Sequence, residues 1–189
     1  FYTIDYTGNG TGTFSGTNTG TGLNVIYGDL TYKSGMGSVS TSQIYSFLSA
    51  SGTQNLKTNG VTLDYPITIG TAGTTNTLLL VDNCTVGSTR TTTLTNGTLD
   101  INSKTFSTGL FNSNNTNART IAFGTGNITV SGTGTVYNTS QTSNMTITGT
   151  AVVNVTNATA TATAVQPGTP GENNSVSFNF TAGTYTLSF

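Results

Sequence analysis

Asp64, Asp82 and Asp100 stand at equal intervals of 18 positions (82 − 64 and 100 − 82), and they are the residues whose type and spacing could do chemistry. Cleaving a glycan needs two carboxyl groups held about 5–9 Å apart. Turns of chain stacked about 4.8 Å apart could bring these three into one column if each turn took 17–18 residues. The same column could hold a hard cation through its oxygens. Two features argue against both uses. Unneutralised carboxylates at that spacing repel one another. Asp64 precedes Tyr65-Pro66 and Asp82 precedes Asn83, contexts in which Asp bonds its own backbone. Asp100, between Leu99 and Ile101, is expected to point outward from a strand. No residue is therefore assigned as catalytic, metal-ligating or cofactor-binding, and the chain is read as a non-enzyme.

Other chemistry is removed by count. The chain has no histidine, which excludes His-based metal sites and Ser-His-Asp or Cys-His nucleophiles. Cys84 is alone, so it has no partner within the chain and is read as a small buried apolar residue. Binding is the more tenable activity. Sugars are gripped by an aromatic face with amide and hydroxyl partners, and Asn, Thr and Tyr are plentiful here. Tyr137 would face outward if Val136 faces inward, and is the candidate glycan contact. Trp is absent, and tyrosines of all-β proteins are commonly half-buried with a wet hydroxyl. Asn96, Asn127, Asn138, Asn144, Asn154, Asn157 and Asn179 open Asn-x-Ser/Thr triplets, which chance alone supplies in so Ser/Thr-rich a chain.

The elements that would position these residues are β-strands. Of 189 residues, 33% are apolar and 6% charged, with net charge −1. Globular proteins carry about a quarter charged residues, and disordered chains are usually highly charged, so neither description fits. Threonine, whose branched Cβ suits a pleated surface, dominates with Ser, Asn and Gly. Lys33, Lys57, Arg90, Lys104 and Arg119 are too scattered for a nucleic-acid stripe or an anionic membrane surface. The apolar run Leu78–Val81 is far short of the roughly 20 residues of a membrane span. The chain opens at Phe1 with no visible signal peptide, which suggests a processed product or a fragment.

Residues 1–58 are read as a Gly/Thr-rich N-terminal segment with strands at Leu23–Tyr27 and Leu30–Tyr32. Within it, Ile44, Phe47 and Leu48 fall at helical spacing, which predicts one short capping helix over 41–50. Residues 59–189 are read as a β-helical stem. Alternation of period two is clear at Ile128/Val130, Met145/Ile147, Val153/Val155 and Val176/Phe178/Phe180. A Gly-Thr marker followed by alternating apolar residues recurs at Gly97, Gly132, Gly149 and Gly183, suggesting a repeat near 17 with one glycine corner per turn. The predicted fold is a right-handed parallel β-helix or solenoid with short rungs; a β-sandwich is the alternative. Strand edges without charge invite pairing, so an oligomer is expected.

Over residues 94–189 the chain resembles a β-helical module of structural and fibre proteins of marine tailed bacteriophages. The residues that carry the likeness are Leu99-Asp-Ile-Asn-Ser-Lys-Thr-Phe106, Asn117-Ala-Arg-Thr-Ile-Ala-Phe-Gly-Thr-Gly-Asn-Ile-Thr-Val130, Thr148–Asn157 and Ser177–Phe189. The resemblance implies a virion-surface, extracellular location as a tail fibre, spike or capsid decoration. It also implies a homo-oligomer, a trimer by preference, among other virion proteins, serving surface attachment. Alternatives are a host-glycan-binding adhesin, a cellular extracellular filament subunit that donates residues 7–22 to a neighbour, and, less favoured, a polysaccharide-cleaving tailspike.

Overall fold

A computed structural model describes residues 4–5, 24–157, 163–166, 176–181 and 185–188. Every regular element among them is a strand, and all pairing is parallel. Two strands open the order, β1 (Ile4–Asp5) and β2 (Asn24–Ile26). Six complete turns of three strands follow. They are β3 (Leu30–Thr31), β4 (Val39–Ser40) and β5 (Tyr45–Phe47), then β6 (Thr53–Lys57), β7 (Thr62–Asp64) and β8 (Ile67–Ile69). The third and fourth are β9 (Thr77–Leu80), β10 (Cys84–Val86) and β11 (Thr91–Leu94), then β12 (Gly97–Asp100), β13 (Thr105–Thr108) and β14 (Leu110–Asn112). The fifth and sixth are β15 (Arg119–Ala122), β16 (Asn127–Val130) and β17 (Gly134–Asn138), then β18 (Met145–Thr148), β19 (Val152–Val155) and β20 (Thr163–Gln166). β21 (Ser177–Phe180) and β22 (Tyr185–Leu187) end it.

Each strand pairs with the equivalent strand of the turns before and after. The first strand of every turn joins sheet I (β1-β3-β6-β9-β12-β15-β18), and the second joins sheet II (β4-β7-β10-β13-β16-β19-β21). The third joins sheet III (β2-β5-β8-β11-β14-β17-β20-β22). The molecule is a three-sided parallel β-solenoid. The sandwich alternative is set aside, because strands adjacent in sequence lie in different sheets instead of pairing as hairpins.

Alternation fixes what is inside. In β16, Ile128 and Val130 are buried while Asn127 and Thr129 reach outward. Because pairing is in register, like stacks on like. Leu78, Leu99 and Ile121 line sheet I. Cys84, Phe106, Ile128 and Val153 line sheet II. Cys84 thus takes the place of one apolar side chain in a column, fully buried, and desolvation drives its thiol pKa far upward. It is inert packing.

Three expectations are corrected. No helix spans 41–50: Tyr45–Phe47 form β5, with Tyr45 and Phe47 both buried, and Ile44 is 36% exposed. The helical spacing was a coincidence of one inward strand residue, Phe47, with two, Ile44 and Leu48, that flank the strand. A turn takes 19 to 29 residues, not about 17, as the register pairs Thr92–Phe111 and Thr135–Ala164 show (111 − 92 and 164 − 135). The Gly-Thr markers do not recur at one corner. Gly97 (φ 75°) opens β12 of sheet I, Gly132 lies between sheets II and III, and Gly149 (φ 85°) lies between sheets I and II. Gly183 lies outside the described residues. β2 to β6 occupy the same three sheets as the rest.

Candidate functional site

The three aspartates do not form a column. Asp64 ends β7 in sheet II, opposite Ser40. Asp100 ends β12 in sheet I, between Leu79 and Ala122 of the neighbouring turns. Asp82 lies at the corner between β9 and β10. The true turn length explains this: an 18-residue step falls short of a full turn each time, so each carboxylate lands further back round the stack. Each also has its own local task. Arg90 grips Asp64 in a two-pronged pair, Nε to Oδ1 at 2.8 Å and Nη2 to Oδ2 at 3.2 Å, and Ser40 Oγ donates at 2.8 Å. The bonds from Arg90 and then Ser40 hold the Asp64 pKa below its ordinary value, and the same pair raises that of Arg90. Asp82 accepts from the Thr58 and Asn59 amides at 2.8 and 2.5 Å, tying one corner to that of the preceding turn. Asp100 caps its own turn through the Asn102 amide at 2.8 Å. Among the described residues no three His, Cys, Asp or Glu side chains gather as ligands for a metal ion.

Tyr137 is not an outward platform. It is fully buried, stacked on Phe111 at 5.4 Å and edge-on to Phe178 at 5.5 Å. The reason is a register shift: Thr135 pairs with Ala164, yet Tyr137 pairs with Val165, so one residue is skipped. That bulge turns both Val136 and Tyr137 inward. Burial raises the Tyr137 pKa, and its hydroxyl has no hydrogen-bond partner of normal geometry.

No family model, curated protein or solved structure matches this chain. Its surface chemistry therefore has to be read from its own residues.

That surface is a set of ladders. On sheet I, Thr53, Thr77, Thr98, Thr120 and Thr146 stand in register over five turns. On sheet II, Thr62, Thr85, Ser107, Thr129, Asn154 and Asn179 do the same. Amides link the far end of the sheet II ladder: Asn179 Nδ2 donates to Asn154 Oδ1, and Asn154 Nδ2 to Asn127 Oδ1, each at 3.2 Å. Three of the Asn-x-Ser/Thr triplets thus begin on strand residues bonded to one another, while Asn96 and Asn157 are buried. A shallow groove of about 240 Å³ runs along the start of sheet I, across successive turns, lined by Thr75, Thr98, Thr120, Asn144 and Thr146.

Below the groove lies a residue that had been counted only as a scattered cation. Arg119 is 1% exposed. Its Nε donates to Ser113 Oγ at 3.0 Å, Nη1 to the carbonyls of Asn115 and Asn117, and Nη2 to that of Gln141 at 2.5 Å. It clamps the two successive corners that lead from sheet III into sheet I, and desolvation lowers its pKa. A signal was present: Arg119, Ile121 and Phe123 share one phase of the alternation, which places the guanidinium on the inward side.

Proposed function

We propose that this chain is a non-enzymatic stem of an extracellular fibre, spike or surface decoration, of the virion kind its sequence resembles, working as a homo-oligomer. The observation that carries the reading is the disposition of its acids. Asp64, Asp82 and Asp100 are each consumed in holding the stack together, while the outward ladders of the sheets repeat hydroxyls and amides. Such a stack is a spacer that resists bending and presents a regular, neutral surface. The likeness over residues 94–189 supports the virion location, and uncharged strands support assembly. The test is to label the chain with a specific antibody on purified particles and to image the isolated assembly by cryo-EM. Decoration of projecting fibres is expected; a chain absent from particles would remove the virion reading.

A second reading, a glycan-binding adhesin, is favoured by the groove on sheet I. Its threonine hydroxyls and Asn144 could meet the hydroxyls of a neutral saccharide without Tyr137. A glycan array probed with the wild type and with Thr98→Arg separates the two: binding that the substitution abolishes supports the adhesin, and no binding leaves the stem. Polysaccharide cleavage remains the weakest reading. The donation of residues 7–22 to a neighbour, which the filament reading needs, concerns residues outside those described.

A further inference from the structure

Charge is distributed unevenly round the stack. Lys33, Lys57, Asp82, Asp100 and Lys104 all lie at or beside the corner where sheet I passes to sheet II, following or ending β3, β6, β9 and β12 or preceding β13. Elsewhere, among the described residues, the charges are engaged. Asp64 is held by Arg90, Asp29 accepts from the amide and side chain of Asn55, and Arg119 is inside. Among the described residues, no strand of sheet III contains Asp, Glu, Lys or Arg. In a three-sided stack each sheet lies opposite the corner joining the other two. The uncharged face is therefore the one turned farthest from the charged ridge.

We infer that the outer face of sheet III is where two copies of this chain pack against each other, with the ridge between sheets I and II turned to water. The inference rests on the reading of the chain as a homo-oligomeric stem. Interface cores are depleted of charge, because a desolvated charge needs a partner; the described strands of this face carry none, and Arg90, which precedes β11 at its margin, is already paired with Asp64. Its outward column, Thr68, Thr93, Asn112 and Asn138, stands in register across four successive turns. A second copy carries the same repeat of about 4.8 Å, so hydroxyls and amides of one face meet those of the other in step along the whole contact. No unrelated partner is bound to share that spacing. The eight strands of the sheet give a face about 34 Å long and 13 Å wide, from strand spacing and rise. Two such faces bury roughly 900 Å² in projection, near the ~1,000 Å² at which specific interfaces begin, and the adjoining corners add to it.

The test uses the full chain and its mass in solution by light scattering. Thr93→Arg with Asn112→Arg should reduce the oligomer to monomer while the β-type circular dichroism and melting transition persist. Thr98→Arg with Thr120→Arg on sheet I, and Ser107→Arg on sheet II, should leave the mass unchanged. An oligomer that survives the sheet III pair, or that is lost through either control, overturns the inference but leaves the oligomeric stem standing. A wild type that is monomeric at its highest soluble concentration overturns both. Should the sheet III pair fail to fold, cysteine cross-linking decides. Asn112→Cys, with Cys84 buried and unreactive, should give a cross-linked dimer with a short bismaleimide, and Thr129→Cys on sheet II should not. The reverse pattern refutes the proposed face.

Discussion

Arg119 carries its charge into the interior and spends it on main-chain carbonyls instead of a carboxylate. The corners at 113–118 and 139–144 are irregular, and one guanidinium answers the carbonyls of Asn115, Asn117, Gln141 and Ser143 at once. Arg119→Ala would leave those part-buried carbonyls without their guanidinium donor. A loss of about 2–4 kcal/mol is expected in urea unfolding, with Arg119→Lys recovering only part of it; an unchanged midpoint would refute the clamp. Asp64 and Arg90 act on the surface and are worth less, at most about 1 kcal/mol. Since the folded pKa of Asp64 lies below the unfolded value of about 3.9, the pair stabilises fully above that value and ceases to do so as pH falls through the folded pKa. The stability gap between wild type and Asp64→Asn should therefore be constant near neutrality and should close at strongly acid pH, as thermal melts across that range would register. Residue roles were only partly legible in the sequence. The corner position of Asp82 followed from its neighbours, but its partners, the Thr58 and Asn59 amides of the preceding turn, did not, and the burial of Tyr137 depends on a one-residue bulge that alternation alone does not reveal.

The rungs are held at their corners by close backbone contact, and this is where glycine is needed. Gly126 has an ordinary φ, yet a Cβ there would overlap the carbonyl oxygen of Lys104 in the preceding turn. Gly37, also with ordinary φ, has nothing near its absent side chain. The pair separates stacking from conformational freedom. Gly126→Ala is expected to cost about 1–3 kcal/mol through strain, and Gly37→Ala to stay within about 1 kcal/mol of wild type; equal melting temperatures would show that the corners have room to give. This also explains what the repeat search could and could not see. Inward columns such as Phe106, Ile128 and Val153 follow from period-two alternation, so the stacked β architecture was readable. Turn length was not, because glycines serve all three corners and the loops between strands vary. The irregular corners, from the single Gly109 between β13 and β14 to the seven residues between β8 and β9, blur any fixed period.

At the scale of the whole molecule, stability is passed from turn to turn, since each strand is paired only to its equivalents above and below. Strands of the middle turns, β9 to β16, have partners on both edges, and their side chains are enclosed between layers. The end differs. β22 is paired on one side to β20, no described strand pairs its other edge, and Leu187 is 43% exposed. The aromatic group Phe178, Phe180 and Tyr185 packs there only partly buried. Opening one terminal rung breaks a single interface, whereas opening a central one breaks two, so the free energy of opening should fall from the middle toward the end. Amide deuterium exchange followed by mass spectrometry should show the slowest exchange in peptides spanning β9 to β16 and faster exchange over β21 and β22. If all rungs exchanged at one common rate, the stack would be opening as a single unit, and turn-by-turn cooperativity would have to be abandoned. Packing of copies through sheet III would slow β11, β14 and β17 more than β10, β13 and β16 at raised concentration, so the same experiment also registers which face is covered.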